Sequence, residues 1–96
     1  MTAELDPLIH PTHRLKICAI LAAGGVVETS VVRESLRLSA SALSKQIAPL
    51  VEAGYVQQDR SGADSRRVWL SLTRNGKRAY EGHVRALRVI VAGAPA

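Results

Sequence analysis

Ninety-six residues suffice for one domain around a single core and leave no room for a second. With 47% hydrophobic and 22% charged residues, no apolar run long enough to cross a membrane and no charged-then-apolar leader, the chain is expected to be a globular cytoplasmic protein. The net charge of +5 is unevenly spread: residues 60–96 hold eight of the thirteen Lys/Arg and two of the eight Asp/Glu, which favours a polyanionic partner over a merely solvated basic surface.

The expected domain spans residues 5–92. Asp6-Pro7 opens a short turn, and the first helix is predicted to start at Pro11, where a proline sacrifices no intrahelical hydrogen bond. It runs to Ala23 and stops at Gly24-Gly25. Leu15, Cys18 and Ala22 share one face of it and Ile17, Ile20 and Leu21 the opposite one. A helix apolar nearly all round is buried nearly all round, so a second element must cover its second face. Val26–Glu28 reads as a short strand. Thr29 or Ser30 is the predicted cap of a second helix ending near Arg37, with Val32 and Leu36 inward. Ser39 caps a third helix, 39–53, which turns Leu43, Ile47 and Leu50 inward and is closed by Gly54. Pro49 inside it removes one backbone hydrogen bond and is expected to bend the helix or shorten its regular part.

Tyr55–Arg60 and Arg66–Leu72 flank a Ser/Gly/Asp turn and read as a β-hairpin. In its second arm Val68, Leu70 and Leu72 alternate with Arg67, Trp69 and Ser71, the period of a half-buried strand. Thr73 caps the last helix, about 73–92. The order helix, strand, helix, helix, hairpin, helix predicts a mainly α fold with a small β-wing, a winged helix-turn-helix.

In the third helix, a rotation of 100° per residue sets Ser41, Lys45 and Ala48 opposite the inward leucines, with Ser44 flanking them and Gln46 on the other shoulder. Small polar residues near a helix N-terminus let the backbone approach base edges, while Lys45 can reach guanine or phosphate and Gln46 can pair with adenine. Arg60, Arg66 and Arg67 bracket the hairpin turn, and an extended cationic loop beside such a helix suits a narrow minor groove. Asp64 is expected to brace Arg66 or Arg67 by a charge-assisted hydrogen bond, since a carboxylate is repelled by phosphate.

Three blocks resemble bacterial winged-helix regulators of the MarR type. Leu8-Ile9-His10-Pro11-Thr12-His13-Arg14-Leu15-Lys16-Ile17 is similar to their first-helix signature. Leu43-Ser44-Lys45-Gln46-Ile47 with Leu50-Val51-Glu52-Ala53-Gly54-Tyr55-Val56 resembles their recognition helix and its exit. Asp64-Ser65-Arg66-Arg67 with Leu70-Ser71-Leu72-Thr73-Arg74-Asn75-Gly76 resembles the wing and the helix after it. The resemblance covers about residues 5–80. It implies double-stranded DNA as partner, with Ser41, Ser44, Lys45 and the wing arginine matching Arg66 or Arg67 in contact, and a role as transcriptional regulator, expected to be a repressor. Two features depart from the pattern. Arg37 stands where glycine is common before the recognition helix, and its charge is placed to meet a phosphate. The chain is also shorter than a full MarR-type protein, so a short stand-alone regulator is the closer relative, and no effector ligand is specified.

In the last helix Tyr80, Val84, Leu87 and Val91 recur at 4-3-4 spacing, widened by Ala79, Ala86 and Ile90. This stripe predicts a two-fold homodimer that presents two recognition helices to half-sites about one helical turn apart. The rivals are weaker. A metal-responsive ArsR-type repressor needs a ligand cluster, whereas Cys18 is a lone thiol in an apolar helix and His10, His13 and His83 converge only if the chain ends meet. No phosphate loop, acid pair or nucleophile–base arrangement marks an enzyme, and no cofactor or metal is expected. A winged-helix module for protein contacts, anchored by Trp69, is the remaining alternative.

Overall fold

The computed structural model describes residues 4–60 and 66–93. Its elements are α1 (Thr12–Gly24), β1 (Val26–Glu28), α2 (Thr29–Leu36), α3 (Ala40–Glu52), β2 (Val56–Asp59), β3 (Trp69–Leu72) and α4 (Arg74–Val91). This is the expected order, and the mainly α fold with a β-wing is borne out. The three strands form one antiparallel sheet in the order β1-β3-β2, so β3 is central: Val27 pairs with Leu70 on one side, and Gln58 pairs with Leu70 on the other.

The core lies between the sheet and the helices. Ile17, Cys18 and Leu21 of α1, Val32 of α2, Leu43, Ile47 and Leu50 of α3, and Val56, Leu70 and Leu72 of the sheet are buried together, and Ile9 from the N-terminal segment closes the cluster at 0% exposure. Leu15 and Ile20 pack half-buried against it. The all-round apolar character of α1 thus reflects a helix with sheet and helices about it, although Ala22, expected on an inner face, is exposed.

Several boundaries differ from the sequence expectation, each for a local reason. Pro11 occupies the N-cap of α1 and not its first turn. Glu28, and neither Thr29 nor Ser30, holds the N-cap position of α2, with no side-chain cap. Thr29 instead gives both its N–H (2.8 Å) and its hydroxyl (2.7 Å) to the Val68 carbonyl. The second arm of the hairpin becomes regular strand only at Trp69, not Arg66, since next to Val68 the chain opposite has already turned into α2. Pro49 does not end α3, which continues to Glu52. The Schellman closure that follows has Tyr55 N–H bonded to Leu50 O (2.9 Å), Gly54 N–H bonded to Val51 O (3.0 Å) and Gly54 at φ 78°.

Candidate nucleic-acid interface

The turn between α2 and α3 sets the angle of the candidate recognition helix. Arg37 adopts the left-handed conformation (φ 56°, ψ 41°), and Leu38 N–H reaches Arg33 O at 3.1 Å in the same type of closure that glycine makes elsewhere. An L-residue here carries a strain of roughly 1–2 kcal/mol. Ser39 then caps α3 by accepting the Ala42 N–H at 3.1 Å. Burial of Leu43, Ile47 and Leu50 leaves Ser41, Ser44, Lys45 and Ala48 exposed along the opposite face.

Gln46 has a different setting. It is half-buried, and its Oε1 accepts a hydrogen bond from Arg14 Nη1 at 3.2 Å, while Arg14 Nε donates to Leu8 O at 2.6 Å. The shoulder assigned from helical phase is therefore occupied by a contact to α1. Arg14 lies outside the residues singled out for function, and no local signal betrays it because its partner is 32 positions away.

Arg60 follows β2, and Arg66 and Arg67 precede β3; all three are exposed, as is Arg37. Asp64 and the proposed brace lie outside the described residues. Trp69 is half-buried in β3, between Glu28 of β1 and Asp59 of β2. A clamp fixes the root of the wing against α4. Thr73 caps the helix by accepting Gly76 N–H at 3.0 Å, its own N–H donates to Tyr55 O at 3.0 Å, and its hydroxyl donates to Gly54 O. Gly76 is buried against Tyr55 so closely that a β-carbon would sit 2.8 Å from the Tyr55 carbonyl carbon.

The face of α4 turned to the core is Gly76, Ala79, His83 and Ala86, of which only Ala79 and Ala86 had been recognised. Tyr80, Val84 and Leu87 are half-buried and Val91 is 83% exposed, a stripe rotated about a quarter turn from the core face at 100° per residue. Ile90 shares the core face but remains 47% exposed, because α4 there has run past the core.

His83 is the buried group that sequence phase missed. Its Nδ1 accepts the Asp6 N–H at 2.8 Å, and its ring lies 5.3 Å from that of His10. The chain ends do meet, but His13 instead lines a groove with Lys16, Ile20, Leu36 and Arg37. Among the described residues no three His, Cys, Asp or Glu side chains are grouped to hold a metal ion. Burial, with a smaller push from Asp6, raises the Cys18 thiol to about 11, so it stays protonated. No helix among the described residues is long and apolar enough to cross a membrane.

Comparison with known proteins agrees with this geometry. The Winged helix DNA-binding domain family matches residues 13–91. No curated protein matches the sequence. Among solved structures, the chain is similar to a transcriptional regulator homologue from Pyrococcus horikoshii (22% identity, TM-score 0.84, 90% of this chain and 86% of that one). It is also similar to the YusO protein of Bacillus subtilis (22%, 0.78, 93% and 60%) and to overoxidized AbfR bound to DNA (22%, 0.73, 79% and 56%). The chain thus spans under two thirds of the length of the latter two.

Proposed function

Since the chain belongs to the winged helix DNA-binding domain family, we propose that it is a sequence-specific transcriptional regulator, a repressor acting as a homodimer on double-stranded DNA. The observation that carries the reading is the exposed Ser41/Ser44/Lys45 face of α3, free of bulky side chains at the end of the helix that leads into a groove. In this reading α3 lies in the major groove, with Lys45 on guanine or phosphate. Arg37 meets the backbone at the helix entry, and Arg60, Arg66 and Arg67 bring the wing to the adjacent minor groove. Gln46 contributes on the shoulder through its amide nitrogen, its oxygen being held by Arg14. Asp64 braces the wing arginines.

The Tyr80, Val84, Leu87 and Val91 stripe is the dimer contact, since an apolar strip left beside a filled core is best covered by its own copy. The resulting dimer is a cytoplasmic protein that reads a palindromic site.

The test is titration of duplex DNA across a salt series, with the Arg60→Gln/Arg66→Gln/Arg67→Gln protein beside the wild type. Wild-type affinity should fall steeply with salt, and the triple variant should lose affinity and flatten the slope by up to ~3 in log–log terms, about 0.9 per phosphate contact. Its melting temperature should stay near that of the wild type. Undiminished binding by the folded variant refutes the wing assignment, and absence of wild-type binding at any salt refutes the function.

A further inference from the structure

The N-terminal segment before α1 makes more specific contacts than a mere leader to a helix requires. Asp6 N–H donates to His83 Nδ1 in α4. The Asp6 carboxylate accepts Leu8 N–H at 2.8 Å and Ile9 N–H at 3.3 Å through Oδ1, and the Tyr55 hydroxyl at 2.7 Å through Oδ2. Ile9 is fully buried in the core, and Leu8 O accepts from Arg14, whose other nitrogen holds Gln46. Residues 5–10 therefore tie together α4, the exit of α3 at Tyr55 and, through Arg14, α3 itself.

One end of this tie depends on protonation. His83 is fully buried, and because its Nδ1 accepts a hydrogen bond, the neutral ring carries its proton on Nε2, which has no partner among the described residues. A second proton would have to go on Nδ1, the atom that faces the Asp6 N–H. Donor would then meet donor, and the bond would be replaced by repulsion.

We propose that residues 5–10 are a proton-released strap, locked by neutral His83, that positions α3 for DNA. The reading of α3 as DNA-contacting is the one made above, but the strap itself stands on the contacts just given. Protonating His83 unseats Asp6, and with it go the Tyr55 and Arg14 anchors of the helix.

The groups facing His83 pull in both directions. From the strap, His10 disfavours a positive charge on His83 and the Asp6 carboxylate favours it. Tyr55 faces the same concavity from the α3 exit, Glu4 and Arg78 also line it, and Cys18 of α1 is protonated. Burial is the largest influence, and the balance lowers His83 below its ordinary 6.5. The closed strap therefore binds its proton less readily than the open one. Its closing preference is complete above pH 6.5 and declines as the pH falls through the lowered value.

The experiment follows Leu8 and Ile9 amide exchange by NMR, as protection factors, while the imidazole resonances of His83 are titrated from pH 8 to 5 and duplex affinity is read by fluorescence anisotropy. In the wild type, strap protection and affinity should each drop at least tenfold in step with His83, while core amides of α1 and β3 stay protected. His83→Asn retains an acceptor that does not titrate, and should keep both flat over this range relative to wild type. Strap protection that persists once His83 is charged, or that is lost in step with His10, overturns the proposal from wild-type data alone. A strap that opens without any change in affinity overturns its coupling to α3. A protein that binds no duplex at any pH, yet shows the strap transition, rejects the DNA reading and with it the positioning role.

Discussion

Gly76→Ala probes the clamp that seats the wing on α4. The new β-carbon would lie 2.8 Å from the Tyr55 carbonyl carbon and 3.0 Å from its Cα, with the carbonyl oxygen nearer still. Ordinary carbon contacts sit at about 3.5–4.0 Å, so the two backbones must part by roughly 1 Å. Neither can move cheaply, because Thr73 N–H to Tyr55 O and the Thr73 hydroxyl to Gly54 O cross the same gap. Losing or stretching both costs about 1 kcal/mol each, and forced overpacking adds about 1–3 kcal/mol. Replacing a helical glycine returns about 1 kcal/mol. The net loss is about 2–4 kcal/mol, which for a domain of this size lowers Tm by about 10–30 °C. Gly82→Ala supplies the contrast, since its β-carbon would meet only the flexible end of Arg85 at 3.8 Å. That variant should melt a few degrees above wild type. Thermal denaturation followed by circular dichroism measures both. A Gly76→Ala protein as stable as Gly82→Ala would show that the close approach at Tyr55 does not constrain the fold.

Two further expectations separate stability from binding. Arg37→Gly relieves the left-handed strain and should raise stability by about 1 kcal/mol, while it weakens duplex binding and lowers the salt slope by about 1. A gain in stability with unchanged binding would remove Arg37 from the interface. The Cys18 thiol, at about 11, should be mostly unreactive toward a thiol-specific disulfide reagent at pH 8 in the native protein and react at once in urea; rapid native labelling would contradict its burial.

Short-range chemistry was legible from the chain alone. Ser39 and Thr73 cap their helices by bonds that span three residues. The exposed Ser41/Ser44/Lys45 face follows from where Leu43, Ile47 and Leu50 fall on a helix of known period. Arg37 was marked as standing where glycine is common, and it takes the left-handed angle. Each of these is fixed within a few peptide units, so spacing and side-chain chemistry suffice.

What tertiary structure alone decided are the meetings of distant residues. Val26–Glu28 looked like a strand without a partner until β3 paired with it. Thr29 looked like a cap until Val68 claimed its hydroxyl from 39 positions away. His83 fell outside the apolar stripe assigned to α4 and is fully buried, because Asp6, 77 positions upstream, supplies the donor that its ring accepts. A polar side chain enters a core only when a partner arrives from elsewhere in the chain. Periodicity tells which way a face points, but not which group will be waiting there.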